Sequence, residues 1–359
     1  MKVAIVHDWF VGGGAERVVA ELNKLYPQAP IYTAYCSPAW REKLNDTKVI
    51  TSYMQHWPFS RLRKFLPLLR AIWFSRLDLS GYDLVISSSG AEAKGIRVKK
   101  PTIHINYCHA PTHYYWSRYD EYMASPGFGR FDPLARLGLK LLVGPMRRWD
   151  FKAAQRPDFL IANSSYTKNQ IKKYYGRDSQ VIHPPVDVKK FKQNIDEPRR
   201  GFVTAGRQTP YKRIDLAIKA CTKLNLPLLV LGNGPEHKRL KRVAGRSITF
   251  IKRPSDEQLA HYFATSLGFI FPNADDFGIV AVEALAAGTP VIAFADGGAL
   301  DYINSKTGVL FKEQTTESLA LALGKFDNHK FDSLTVAKQA EQFSPEQFAH
   351  AFTAFVRGL

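Results

Sequence analysis

The stretch FPNADDFGIVAVEALAAGTPVIAFADGGA, residues 271–299, decides how the chain is read. Phe271-Pro272 closes an apolar run containing Leu267, Phe269 and Ile270, the pattern of a buried strand. Two acids follow at Asp275 and Asp276, then Phe277 and Gly278. From Ile279 the run IVAVEALAA consists of short apolar residues and good helix formers, and Gly288 and Pro290 end it. Val291 to Phe294 reads as a second strand and Gly297-Gly298 as another turn. Strand, acidic loop, helix, strand and glycine turn within about thirty residues make one βαβ unit. At the carboxyl edge of a parallel sheet, Asp275 at the helix entrance and Glu283 within it would accept hydrogen bonds from a polyhydroxylated ligand. Backbone amides beside them would face a phosphate.

Working outward, a chain of 359 residues exceeds one ordinary core, so two domains are expected. Hydrophobic content of 45% and charged content of 23% exclude a disordered chain. Fifty Lys+Arg against 32 Asp+Glu give a net charge of +18, a field that favours anionic partners. Three widely spaced cysteines, Cys36, Cys108 and Cys221, form neither a disulfide framework nor a metal-binding CxxC pair, which suits a reducing cytosol. Met1-Lys2 runs directly into a strand, so no secretory signal is expected. No stretch reaches the ~18 uncharged apolar residues of a membrane span.

The N-terminal half opens as strand Val3–His7, then a loop with Gly12, Gly13, Gly14 and Glu16, then a helix carrying Val18, Val19, Leu22 and Leu25. That is how a doubly wound α/β domain starts, but Arg17 stands where the dinucleotide fingerprint needs its third glycine. Residues 57–79 interleave Arg61, Arg63, Lys64, Arg70 and Arg76 with Leu, Phe, Ile and Trp, and Pro67 divides them into two short helices. Such a segment suits either a core helix with a solvated basic face or an anionic membrane surface. A strand over residues 102–107 delivers His109, followed by the aromatic run that includes Tyr114. A helix is expected over 134–146, a capped basic helix after Ser164, and a last strand over 180–183. The first domain is thus placed at 1–185, an aperiodic hinge at 186–200, and a second α/β domain at 201–344. The terminal helix from Pro345, within residues 345–359, is expected to pack back on the first domain. In the second domain Arg207 and Lys212 are five residues apart across a strand-to-helix turn, so both cations and a helix N-terminus would converge on a diphosphate. Gly232-Asn233 and Arg253 end the next two strands at the same edge.

These residues resemble a retaining glycosyltransferase of family 4, with the GT-B fold of two Rossmann-like doubly wound domains facing across a cleft. Asp275 and Glu283 are similar to the family's Glu-x7-Glu motif, with Asp one methylene shorter than the usual Glu. Arg207 and Lys212 match its cationic pair, Gly12–Gly14 and Glu16 its first glycine loop, and His109 its Y-C-H-x-P histidine. The resemblance implies that Arg207 and Lys212 hold the donor diphosphate with no metal or other cofactor, and that Glu283 binds the ribose. It implies that Asp275, with amides of Phe277, Gly278 and Ile279, holds the transferred sugar, and that Gly13 and Gly14 approach the diphosphate. Gly232, Asn233 and Arg253 complete the donor side. Gly12, Glu16, His109 and Tyr114 are placed on the acceptor side, with His109 also contacting the sugar. The narrower resemblance is to bacterial mannosyltransferases of O-antigen and exopolysaccharide synthesis. It implies GDP-mannose as donor, a glycan or polyprenyl-diphosphate-linked acceptor, and a cytoplasmic enzyme peripheral on the inner membrane face.

Two other readings compete. A nucleotide-sugar 2-epimerase shares the fold, but the Asp275–Glu283 segment matches the transferases better. A non-enzymatic basic protein would exploit the charge on membrane or nucleic acid. No nucleic-acid motif accompanies that charge, and nucleic acid is not expected as a partner.

Overall fold

The structure is a computed structural model that describes residues 1–359 except 45, 128 and 193–196, and except the side chains of residues 64 and 130. The chain forms two compact units, Met1–Pro184 with Ala349–Leu359, and Pro185–Phe348.

In the first unit seven strands form one sheet: β1 Val3–His7, β2 Ile31–Thr33, β3 Val49–Thr51, β4 Leu84–Ser89, β5 Ile103–Cys108, β6 Phe159–Ala162 and β7 Gln180–Val181. Their order is β3-β2-β1-β4-β5-β6-β7, and every pairing is parallel. β1 and β4 are buried at every residue, as a strand covered by helices on both sheet faces must be. The helix Gly14–Leu25 buries Val18, Val19 and Leu22, one apolar stripe of a 3.6-residue period.

The second unit has β8 Phe202–Ala205, β9 Leu228–Leu231, β10 Ile248–Ile251, β11 Gly268–Phe271, β12 Val291–Phe294 and β13 Gly308–Phe311. They are ordered β10-β9-β8-β11-β12-β13 and are again all parallel. Each sheet therefore reverses its winding once, between β1 and β4 and between β8 and β11. The loops that diverge from those points leave a crevice at the carboxyl edge.

Several elements differ from the sequence reading. The helix expected over 134–146 spans Asp132–Ala154 and runs through Pro145, because Met146, Asp150, Ala153 and Ala154 beyond the proline are buried in the unit. Residues 186–191 were read as hinge, yet Val186, Val188 and Phe191 pack into the second unit's core beside Phe263 and Phe269. Part of that hinge, 193–196, lies outside the described residues. The segment 57–79 does divide at Pro67, into Phe59–Leu62 and Pro67–Ser75. Arg70 is not on its basic face: it is 2% exposed and bonded through Nε and Nη2 to Glu92 at 2.8 and 3.0 Å. The side chain of Lys64 is outside the described set. The terminal helix Pro345–Arg357 contributes Ala349 onward to the first unit, where Phe355 meets Phe159 edge-on. Among the described residues no helix is long and apolar enough to cross a membrane.

Candidate functional site at the sheet edges

In the second unit the loops after β8 and β11 meet at the winding reversal. The β8 loop carries Arg207, which is exposed, and a short turn Pro210–Lys212. The β11 loop carries Asp275, and the Lys212 Nζ is ion-paired with the Asp275 carboxylate. Both side chains remain about one-sixth exposed, 16% and 17%, so the pair sits at a surface crevice and not in the core. Arg213 beside it takes a left-handed backbone and donates to Gln314 at 2.9 Å, while Gln314 donates to the Pro272 carbonyl at 3.0 Å. The β8, β11 and β13 loops are thereby tied together.

Gly278 is the N-cap of the Ile279–Ala286 helix with φ 89°. A Cβ there would stand 2.6 Å from the Phe271 ring and 2.7 Å from the Tyr302 hydroxyl, so only glycine fits both the backbone and the space. That hydroxyl donates to the Phe277 carbonyl at 2.8 Å. Gly298 donates its N–H to the Asp275 carbonyl at 2.8 Å; a Cβ at Gly298 would lie 2.4 Å from the Asp276 carbonyl oxygen. The Gly-Gly turn is thus the backbone surface on which the acidic loop rests. Phe277 is 3% exposed and packs on Tyr302 and Phe343, so its side chain is core. Glu283 is 3% exposed on the same helix, and Ile279 is half-buried at the helix start.

Gly232 and Asn233 stand at the end of β9. The Gly232 carbonyl accepts from Gln208 Nε2 at 2.9 Å, and Gln208 Oε1 faces His237 Nδ1 at 2.7 Å. The Asn233 carbonyl accepts the Gln208 N–H at 3.0 Å. Gln208 is fully buried and was not singled out from sequence; a glutamine in a surface-reading QTPYKR turn gives no signal of burial. Asn273, 2% exposed, was also missed, and its amide nitrogen has no partner among the described residues. Arg253, two residues beyond β10, is exposed, with a left-handed φ of 50°.

In the first unit the ends of β1, β4 and β5 gather another cluster. His109 Nε2 and Ser88 Oγ are 2.7 Å apart, His7 Nδ1 lies 2.9 Å from the Ser88 carbonyl, and Asn163 donates to the His109 carbonyl at 2.9 Å. Asp8 accepts the N–H groups of Gly90, Ala91 and Ala93 at 2.8–2.9 Å, which fixes the β1 and β4 loops to each other. Asp8, His7 and Ser88 were not singled out from sequence, although His7 ends β1, Asp8 follows it and Ser88 is the penultimate residue of β4. Behind them Lys94 and Asp150, both buried, pair at 2.7 Å, and Asp150 also accepts from Thr112, Trp116 and Tyr175. Burial opposes the Lys94 charge, but Asp150 more than offsets it and the ammonium pKa is raised.

Two residues expected on the acceptor side make internal contacts. Glu16 is 4% exposed and its carboxylate accepts the Val11 and Gly12 N–H groups at 3.1 and 2.8 Å. It clamps the glycine loop, with Gly13 as N-cap of the helix that Gly14 begins, and the Gly12 amide is used by that clamp. The Tyr114 hydroxyl donates to Glu92 at 2.6 Å and accepts from Arg70 at 3.3 Å, which ties it into an internal network while its side chain stays part-exposed. Among the described residues no group of three or more His, Cys, Asp or Glu side chains is placed to hold a metal ion.

Two parallel Rossmann-like sheets of seven and six strands define a GT-B glycosyltransferase fold. The fold is shared over the whole chain by HepE of Anabaena, solved in complex with UDP, at TM-score 0.72 and 18% identity, covering 100% of both chains. It is shared equally by the sucrose-phosphate synthase of Thermosynechococcus elongatus, at TM-score 0.72 and 18% identity, covering 100% of this chain and 99% of that one. The model of Glycosyltransferase Family 4 matches residues 12–190 and that of Glycosyl transferases group 1 matches 185–343. With both domains in tandem, the chain belongs to the family 4 group of glycosyltransferases. Among curated relatives, the D-inositol 3-phosphate glycosyltransferase of Rhodococcus opacus is 30% identical over 231 residues, 55% of this chain and 51% of the relative. That of Mycobacterium tuberculosis F11 is 32% identical over 168 residues, 39% and 35% of the two chains. The chain spans about half the length, or less, of the curated relatives it matches.

Proposed function

We propose that the protein transfers a hexose from a nucleotide-diphosphate sugar to a glycan or polyprenyl-diphosphate-linked acceptor, with retention of anomeric configuration. The observation that carries this reading is the Lys212–Asp275 pair at the β8/β11 winding reversal, with Arg207 on the same loop. Arg207, Lys212 and the amides at the start of the Ile279–Ala286 helix neutralise the departing diphosphate, so charge stabilisation needs no metal. Asp275 accepts hydrogen bonds from the sugar and holds the Lys212 ammonium in place, and Glu283 takes the ribose. Asp for Glu shortens the reach by one methylene, which the lysine contact compensates by fixing the carboxylate. The bond from the anomeric carbon to the phosphate oxygen breaks first. The acceptor hydroxyl attacks the same face of the resulting oxocarbenium-like sugar, and its proton passes to the leaving phosphate oxygen. His109, held by Ser88, serves the sugar and acceptor side. GDP-mannose is the donor of first choice, and residues 57–79 bring the enzyme to an anionic inner membrane face.

A panel of GDP and UDP sugars with lipid-linked glycan acceptors, scored by transfer, hydrolysis and product anomer, tests the proposal. Acceptor-dependent transfer with retention, weakened in Arg207→Ala, is expected. Acceptor-independent conversion of the nucleotide sugar to its epimer, or undiminished transfer in Arg207→Ala, would contradict it.

A further inference from the structure

The outer half of the Asp132–Ala154 helix has no role in the site described above. Leu134, Leu137 and Leu141 on it are 66%, 55% and 67% exposed. At 3.6 residues per turn they fall within about 60° of one another. The buried face that docks the same helix, Met146, Asp150 and Ala153, points roughly 150° away from that stripe. The leucines are therefore presented outward by a helix that is anchored through its other half. From Pro133 to Trp149 the helix carries Arg136, Lys140, Arg147 and Arg148 and no acid. Arg136 donates to the Met123 and Ala124 carbonyls and Arg147 to the Tyr115 carbonyl, whereas Lys140 and Arg148 are exposed.

We infer that this helix is a second lipid-docking element, which lies in the headgroup region of an anionic bilayer with the three leucines inserted. A basic helix with an outward apolar stripe has that preference. A second copy of the chain fits the face worse, since each copy would bring the same cations, in a protein of net charge +18. The helix adds to the exposed apolar and basic surface of 57–79, where Trp57, Leu62, Leu68 and Ile72 are 76%, 47%, 45% and 43% exposed. The inference does not depend on sugar transfer, because lipid binding is read without donor or acceptor.

The test is flotation of the full chain with phosphatidylcholine vesicles, with and without phosphatidylglycerol. The wild type is expected to float with the anionic vesicles, and Leu137→Glu/Leu141→Glu to lower its partitioning about tenfold or more. Lys140→Glu/Arg148→Glu should remove the preference for anionic lipid, and Trp57→Ser/Leu62→Ser reports the other segment separately. Unchanged thermal unfolding and nucleotide binding of each variant show that folding is intact. Equal flotation of the leucine variant and the wild type would overturn the inference, as would absence of wild-type flotation. A wild-type dimer in size-exclusion light scattering that the leucine variant dissociates would reassign the face to contact between copies.

Discussion

Replacing Gly278 by alanine probes the backbone on which the acidic loop and its helix are mounted. At φ 89° an alanine costs about 1–2 kcal/mol in backbone strain. Its Cβ would also stand 2.6 Å from the Phe271 ring and 2.7 Å from the Tyr302 hydroxyl, and overpacking of that kind costs about 1–3 kcal/mol. Moving the hydroxyl breaks its bond to the Phe277 carbonyl. The sum, about 2–5 kcal/mol, corresponds to a fall of roughly 5–15 °C in the melting of the second unit. Because the strain is released through Phe277 and Asp275, nucleotide-sugar affinity should fall with it. Differential scanning calorimetry with and without nucleotide, plus calorimetric titration, measures both effects. Phe271→Leu in the Gly278→Ala background withdraws the nearest ring atoms and should recover about 1 kcal/mol, a coupling that distant sites would not show. Gly278→Ala melting and binding like the wild type would refute the reasoning.

Three further outcomes follow from other buried groups. Burial pushes the His104 pKa down to about 3, below the ordinary value near 6.5. The unfolded chain then binds the extra proton as pH falls below ~6.5, so this histidine costs stability progressively from there down to the folded pKa; His104→Gln should flatten melting temperature against pH in that window. Burial opposes the Arg70 charge but Glu92 overcomes it and raises the guanidinium pKa. Glu92→Gln, which leaves that cation without its anion, should cost about 3–5 kcal/mol in denaturant unfolding of the first unit. Gln208→Leu strands the Gly232 carbonyl and His237 and should cost about 1–3 kcal/mol, together with weaker nucleotide binding; a stable variant with normal affinity would remove Gln208 from the site's support.

Much of the second unit was legible because its strands are continuous apolar runs bounded by Gly and Pro, and β12 at Val291–Phe294 was read to the residue. The first sheet was less so. β3 has only three half-buried residues, Val49–Thr51, too few to show a period. The expected helix ended at Met146, yet the residues after it are held by tertiary contacts such as Asp150 to Trp116 and Tyr175, which no local pattern records. The same limit explains Glu16, Arg70 and Tyr114. Each is a polar residue beside a glycine loop, a basic run or an aromatic run, and only the fold shows that its partner is internal. Strand-end position placed Asp275 and Lys212 on one sheet edge, but their direct pairing depends on strand order, since β8 and β11 are neighbours in space and three elements apart in the order of strands.

The central claim is that Arg207 and Lys212 bind a nucleoside diphosphate at the β8/β11 reversal. Calorimetric titration of GDP and UDP against the wild type, Arg207→Ala and Lys212→Ala tests it most directly. A charged hydrogen bond contributes about 1.5–3 kcal/mol, so each variant should bind roughly ten- to a hundredfold more weakly, with unchanged melting in the absence of nucleotide. Equal affinity in all three proteins, or a wild type that binds neither nucleotide, would contradict the account.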